Sequence, residues 1–187
     1  MAQSGTTPTN PIRVTLSDGT LAVVRPIRPD GAPQLIEALN NLSPQARYQR
    51  FLYGKHSLSP DELRYLTDCD GINHIALVLL LTDTDGNELY PVAEARCIRD
   101  QYDTSMAEVA ITVADQWQNK GVGKHLLKAL ANAAVAVGIE RWQAFLLHSN
   151  TAAFKLMETV GTKQSELPEY TAVLKVTYKL HPNLFTH

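Results

Sequence analysis

The run Gln118-Asn119-Lys120-Gly121-Val122-Gly123 opens residues 121–137, a stretch free of proline and rich in Ala, Leu, Val and Lys. A helix start leaves four backbone N–H groups without partners, and its dipole end favours anions. Glycine lets a phosphate approach the backbone closely. On residue types alone the run fits an anion-binding turn or a tight strand-to-helix turn. Two phosphate motifs are excluded. The dinucleotide fingerprint needs Gly or Ala at position 126, where Leu126 stands. A P-loop needs Ser or Thr after Gly-Lys, and His125 follows Gly123-Lys124. Lys120 and Lys124 bring two cations to the same loop.

A second candidate lies upstream. In a strand over residues 105–113, Met106, Glu108, Ala110 and Thr112 share one face, and Ala107, Val109, Ile111 and Val113 the other. A glutamate mid-strand is a solvated residue or a partner for Arg96 or Arg99. Glu94, on a neighbouring strand with Arg96 and Ile98 on its face, is either an ion pair with Arg96 or a second base. His74, His125 and His148 form no metal-like cluster, and no metal is expected. Cys69 and Cys97 are too few for a disulfide framework, and Cys97 alternates like a core residue.

Elements to position these groups follow from patterning. Residues 12–16 and 21–27 are two strands about the turn Ser17-Asp18-Gly19-Thr20. Residues 29–68 give three short helices. The second begins at Ser43-Pro44 and carries Ala46, Tyr48, Phe51 and Leu52, and the third at the capping box Ser59-Pro60-Asp61-Glu62. Strands follow over 74–81, 89–99 and 105–113. Val122, Leu126, Leu127, Leu130, Ala133, Ala134 and Val137 stripe one helix, which Gly138 closes. A strand over 142–147, a helix over 151–159 capped by Asn150, and a last strand over 170–180 complete an α/β domain (α+β) around a mostly antiparallel sheet. Residues 1–11 are a flexible tail, and 12–187 form a single domain.

Composition narrows the classes. The chain has 187 residues, 44% of them hydrophobic, and a net charge of −2. No basic excess supports a wrapping nucleic-acid partner. The longest apolar run is far short of a membrane span, and no secretory signal is visible, so a reduced, cytoplasmic protein is expected. Residues 1–60 carry +3, 61–120 carry −8 and 121–187 carry +3. The acidic middle is a solvated face or attracts a cationic substrate.

Residues 118–123 match the Gln/Arg-x-x-Gly-x-Gly/Ala signature of the GNAT superfamily of N-acetyltransferases, and the chain resembles that superfamily over about residues 12–178. The likeness continues upstream through Ala107-Glu108-Val109-Ala110 and downstream through Leu126-Leu127, Gly138, Asn150 and Gly161. Segments 42–51 and 58–63 and His74 are similar to the acetyltransferase domain of bacterial protein lysine acetyltransferases. The resemblance implies a mixed twisted sheet flanked by helices, with strands 105–113 and 142–147 parallel and splayed around acetyl-coenzyme A or another short acyl-coenzyme A. Its pyrophosphate would meet amides of Gln118, Asn119, Lys120, Gly121, Val122, Gly123 and Lys124. Its pantetheine arm would meet Ile111, Val113 and Asn150, and Glu108 would be the general base. The Val113 N–H is a candidate oxyanion donor. The implied acceptor is a protein lysine or a small cationic amine, and transfer is direct. A non-catalytic acyl-coenzyme A sensor is the alternative, and a homodimer is an open expectation. Many superfamily members carry a tyrosine where Met157 stands; Tyr48, Tyr102 and Tyr170 are the other hydroxyls considered as acids.

Overall fold

A computed structural model describes residues 10–40, 43–45, 57–170 and 172–182. The predicted helix carrying Ala46, Tyr48, Phe51 and Leu52 and nearly all of the predicted tail lie outside the described residues.

Among the described residues eight strands form one sheet in the order β1-β2-β3-β4-β5-β6-β8-β7. They are β1 (Ile12–Thr15), β2 (Leu21–Pro26), β3 (His74–Thr82), β4 (Glu88–Arg99), β5 (Met106–Val113), β6 (Arg141–Leu147), β7 (Gly161–Tyr170) and β8 (Val173–Leu180). Every pairing is antiparallel except β5 with β6. Among the described residues, α-helices with complete bounds run over Ala32–Asn40 (α1), Pro60–Thr67 (α2), Val122–Ala136 (α3) and Thr151–Glu158 (α4). The mostly antiparallel sheet is the one expected from the pattern, and its single parallel pair is the one that the resemblance implies.

The helix ends obey local chemistry. Ser59 Oγ accepts from the Glu62 N–H at 3.2 Å, and Glu62 Oε2 accepts from the Ser59 N–H at 2.8 Å, closing the capping box of α2. At the far end of α3, Gly138 adopts φ +82°. The Ile139 N–H then reaches the Ala134 carbonyl, and the Gly138 N–H the Val135 carbonyl. Those two bonds satisfy carbonyls that the helix leaves open, and Ile139 is fully buried beneath them.

The core is asymmetric. Helix α3 lays Leu126, Leu127, Leu130 and Ala134 on one sheet face, against residues such as Leu77, Leu79, Ala95, Cys97 and Ala107. Each side chain of that group is fully buried, and each apolar group removed from water adds to the driving force for folding. The opposite face is more polar. Arg96 is buried there, gripping Glu94 through two bonds of 2.8 Å and donating to the Leu66 carbonyl at 3.1 Å. That last bond fastens the end of α2 to β4.

One element departs from the patterning. Strand β7 has no counterpart in the predicted order, and the final strand starts at Val173 rather than 170. All of β7 after Gly161 is exposed, so no burial pattern marks it. It exists because it pairs along β8, with two register shifts.

Candidate active site

The parallel pair β5–β6 is short. Only Met106, Ala107 and Glu108 pair with Arg141, Trp142 and Gln143. Strand β5 continues to pair with β4 as far as Val113, and β6 with β8 as far as Leu147. The two strands therefore part after the Glu108–Gln143 rung while each stays bound on its outer side.

Register fixes which backbone groups face the gap. In an antiparallel pair, alternate residues bond to the partner strand and the others point away. The Ala114 N–H bonds the Val92 carbonyl, and the Asp100 N–H bonds the Met106 carbonyl. Even-numbered residues of β5 thus spend their backbone groups on β4. The N–H and C=O of Val109, Ile111 and Val113 turn toward β6, where the pairing has ended. A cavity of about 310 Å³ fills that gap. Its walls include Val109–Val113 of β5, Ala144, Phe145 and Leu146 of β6, and Ala153, Leu156 and Met157 of α4.

The cavity reaches the start of α3. Gln118, Asn119, Gly121, Val122, Gly123 and Lys124 line it. Asn119 has φ +60° and Gly121 φ +83°, and no side chain caps the helix. The first intrahelical bond runs from the His125 N–H to the Gly121 carbonyl, so the amides before His125 have no partner within the helix. Gly123 serves a packing need: a Cβ there would stand 2.9 Å from Leu156 Cδ2 and 3.7 Å from Ile111 Cδ1. A side chain at that point would push into both walls of the cavity. Gln118 Nε2 reaches the Val113 carbonyl at 3.4 Å and Asp115 Oδ1 at 3.3 Å, bracing the turn between β5 and α3.

Two loop lysines diverge. Lys124 lines the cavity, whereas Lys120 is absent from its walls. The Lys120 ammonium meets Asp18 Oδ2 at 2.8 Å and lies 4.7 Å from the Trp117 ring centre, and its carbonyl accepts from the Ser17 N–H. Its side chain therefore ties the loop to the β1–β2 turn. The Asp18 carboxyl is held well below its ordinary range, chiefly by that lysine.

Glu108 is exposed on the face opposite α3, at the last paired rung and one residue before the cavity wall begins. Arg96 holds Glu94. Arg99 donates to the Thr104, Ile72 and Val137 carbonyls. Glu94 is therefore ion-paired, the first of the two readings weighed for it. Burial, the largest single influence, would lower the Arg96 guanidinium, but the charge and hydrogen bonds of Glu94 with smaller contributions from Cys69 and Tyr65 together outweigh it and raise it. His74 lies 3.1 Å from Arg96 Nη1 through Nε2. Burial first, and the Arg96 cation second, push its pKa down to about 4, so the ring is neutral and accepts from Arg96.

Asn150 plays the local part expected of it: its Oδ1 accepts from the Ala153 N–H at 3.1 Å and caps α4. It also lines the cavity, with its side-chain N–H groups left to donate. Met157 is buried and lines the cavity wall with a thioether and no hydroxyl. Tyr102 and Tyr170 are exposed and outside the lining, as is His148; Tyr48 lies outside the described residues. Burial raises the thiols of Cys69 and Cys97 to about 11 and about 12, so both stay protonated. Among the described residues no cluster suited to a metal is present, and no helix is long and apolar enough to cross a membrane.

The patterning missed the walls contributed by Ala144, Phe145, Leu146 and Leu156. The signal was available for β6: extending the parallel register past Gln143 brings residues 144–146 opposite 109–111. Leu156 carries no such signal, because its contact with Gly123 joins two helices far apart in sequence.

Comparison with known proteins places this geometry. Residues 39–161 match the acetyltransferase (GNAT) family. The chain is 32% identical over 151 residues to Acetyltransferase Pat of Mycolicibacterium smegmatis, covering 81% of this chain and 44% of that protein. It is 30% identical over 149 residues to Acetyltransferase PA5475 of Pseudomonas aeruginosa, covering 78% and 77%. The GNAT domain of S. lividans PAT superposes with a TM-score of 0.77 at 28% identity, over 91% of this chain and 97% of that domain. The chain thus spans less than half the length of the Mycolicibacterium relative.

Proposed function

The chain belongs to the acetyltransferase (GNAT) family, and from that membership we propose that it transfers an acetyl group from acetyl-coenzyme A to a primary amine, with a protein lysine as acceptor. One observation carries the reading. Strand β5 loses its partner after Glu108 while its inward amides at Val109, Ile111 and Val113 line a cavity that leads to the uncapped start of α3. An extended amide-bearing arm pairs with such a strand edge as another strand would. A pyrophosphate suits the amides of Gly121, Val122, Gly123 and Lys124, with the dipole of α3 behind them. The amides of Ile111 and Val113 and the free N–H groups of Asn150 take the pantetheine arm.

The acid–base roles follow from charge. A lysine ammonium has a pKa of about 10.4 and is no nucleophile until it loses a proton. The Glu108 carboxylate accepts that proton, directly or through one water, and also attracts the cation beforehand. The neutral amine attacks the thioester carbonyl. An inward N–H of β5 stabilises the tetrahedral oxygen, and the C–S bond breaks as coenzyme A departs as thiolate. The lining residues offer no phenol at Met157, so the second proton, shed by the nitrogen as the amide forms, reaches the thiolate through water. The two cysteines, protonated and away from the cavity, form no acyl-enzyme.

The test is a turnover assay with acetyl-coenzyme A, read as thiol release, against a lysine-peptide pool and a small-amine pool. Glu108→Gln is expected to lower kcat by about 10²–10⁴ with cofactor affinity unchanged. Tight cofactor binding without turnover in either pool would replace this reading with the sensor.

A further inference from the structure

Cross-strand partners project their side chains to the same sheet face, so the rung Glu108–Gln143 continues through Gln143–Thr177. Glu108, Gln143 and Thr177 therefore stand side by side across β5, β6 and β8, on the face away from α3. Two residues to either side along β8, Lys175 and Lys179 point to that same face. Strand spacing puts each about 12 Å from Glu108 between Cα atoms. Lys175 is half-buried and Lys179 exposed, and neither forms an ion pair or hydrogen bond among the described residues. Arg141, opposite Lys179 on the same face, is already held by Asp103 at 2.7 Å. Between the lysines and the cavity lie Gln143, Phe145 and Thr177, all half-buried, with Phe145 forming part of the cavity wall.

We propose that this face, continuous with the cleft at Glu108, docks the acceptor as an extended polypeptide whose target lysine is flanked by acidic residues, held by Lys175 and Lys179. The inference rests on the amine-acetyltransfer reading and names its acceptor more closely. The charges are arranged in opposition. Glu108 receives one cation at the centre, and two cations without a partner among the described residues stand off on one side of it. An extended peptide advances about 3.3 Å per residue, so positions two and three from the target lie about 7–10 Å away. Side chains there, reaching sideways, meet the lysine tips. A polyamine presents a further cation at those distances and is repelled. The lysines thus favour peptide over polyamine, as well as one peptide over another.

The experiment uses three nine-residue peptides with a central lysine and Asp/Glu, Ser/Ala or Lys/Arg at positions −3, −2, +2 and +3, with spermidine as a fourth acceptor. Steady-state kcat/KM and the binding of each peptide to the acetyl-coenzyme A-loaded protein, by fluorescence anisotropy, are measured at low and at 0.5 M salt. The acidic-flanked peptide is expected to lead the basic-flanked one by about three- to twentyfold in kcat/KM, mostly through KM, with the gap closing at high salt. K175E/K179E is expected to reverse that order while its melting temperature and acetyl-coenzyme A affinity stay near those of the parent. The same ranking in the charge-reversed protein, or spermidine outperforming every peptide, overturns the inference. If charge-dependent peptide binding appears without turnover of any amine, docking stands and the transferase reading falls.

Discussion

Placing a charge at Gly121 separates what the loop does for the fold from what it does for an anion. Gly121 holds φ +83°, and a Cβ there meets nothing nearer than His125 Cδ2 at 3.8 Å. Gly121→Gln and Gly121→Glu therefore share one strain, that of an L-residue in the left-handed region, about 1–2 kcal/mol. Both should melt about 2–8 °C below the parent. They differ by a single charge. A carboxylate about 7 Å from a pyrophosphate bearing about two negative charges is opposed by about 1–2.5 kcal/mol, taking an effective dielectric between about 40 and 80. That is about a 6- to 60-fold weaker Kd for acetyl-coenzyme A in the Glu variant than in the Gln variant. Isothermal titration at about 20 mM salt measures the gap. At about 1 M salt, with a screening length of about 3 Å, it should shrink to less than about twofold. Equal affinities at low salt, in two variants showing the same melting loss, would falsify the assignment of this turn to the phosphates.

Two further predictions concern the polar face that carries Glu94. Arg96→Met deprives Glu94 of its bidentate partner and the Leu66 carbonyl of its donor, and should lose about 3–5 kcal/mol in urea unfolding. Glu94→Leu/Arg96→Met should recover most of that, and a double variant no more stable than the single one would contradict the pairing. His74 titrates near 6.5 when unfolded and at about 4 when folded. The unfolded chain therefore binds the extra proton between those values. The contribution is complete above about pH 6.5 and is lost as pH falls toward 4, about 2 kcal/mol of it by pH 5. Unfolding curves at pH 7 and pH 5 should show this loss in the parent and not in His74→Gln; an equal loss in both would mean that another group titrates.

The parts of the molecule governed by short-range rules were legible in the amino-acid order. Ser59 and Glu62 make their box, Asn150 caps α4, Gly138 ends α3, and the alternation of residues 106–113 put Glu108 on the open face and Ala107 and Val109 on the buried one. Glu94 and Arg96, two apart on one strand, were readable as a pair for the same reason. Strand β7 was hidden because Thr162–Tyr170 is polar and contains Pro168; its stability comes from the partner strand, which no local window contains. The fate of Lys120 was hidden by distance, since Asp18 lies 102 positions away. The same limit concealed the row from Glu108 through Thr177, whose members adjoin only after β8 slots between β6 and β7.

The parting of β5 from β6 also bears on solubility. An open strand edge ordinarily invites a neighbouring molecule to stitch itself on, which is how many sheet proteins begin to aggregate. Here the bare edge is recessed in a crevice that narrows to the Glu108–Gln143 rung, walled on one side by the packed helices. A slender unbranched arm can slide into it, whereas a polypeptide bearing side chains on both sides meets the walls first. The chain can keep an unfinished sheet at its centre, ready for a ligand, without offering it to other proteins.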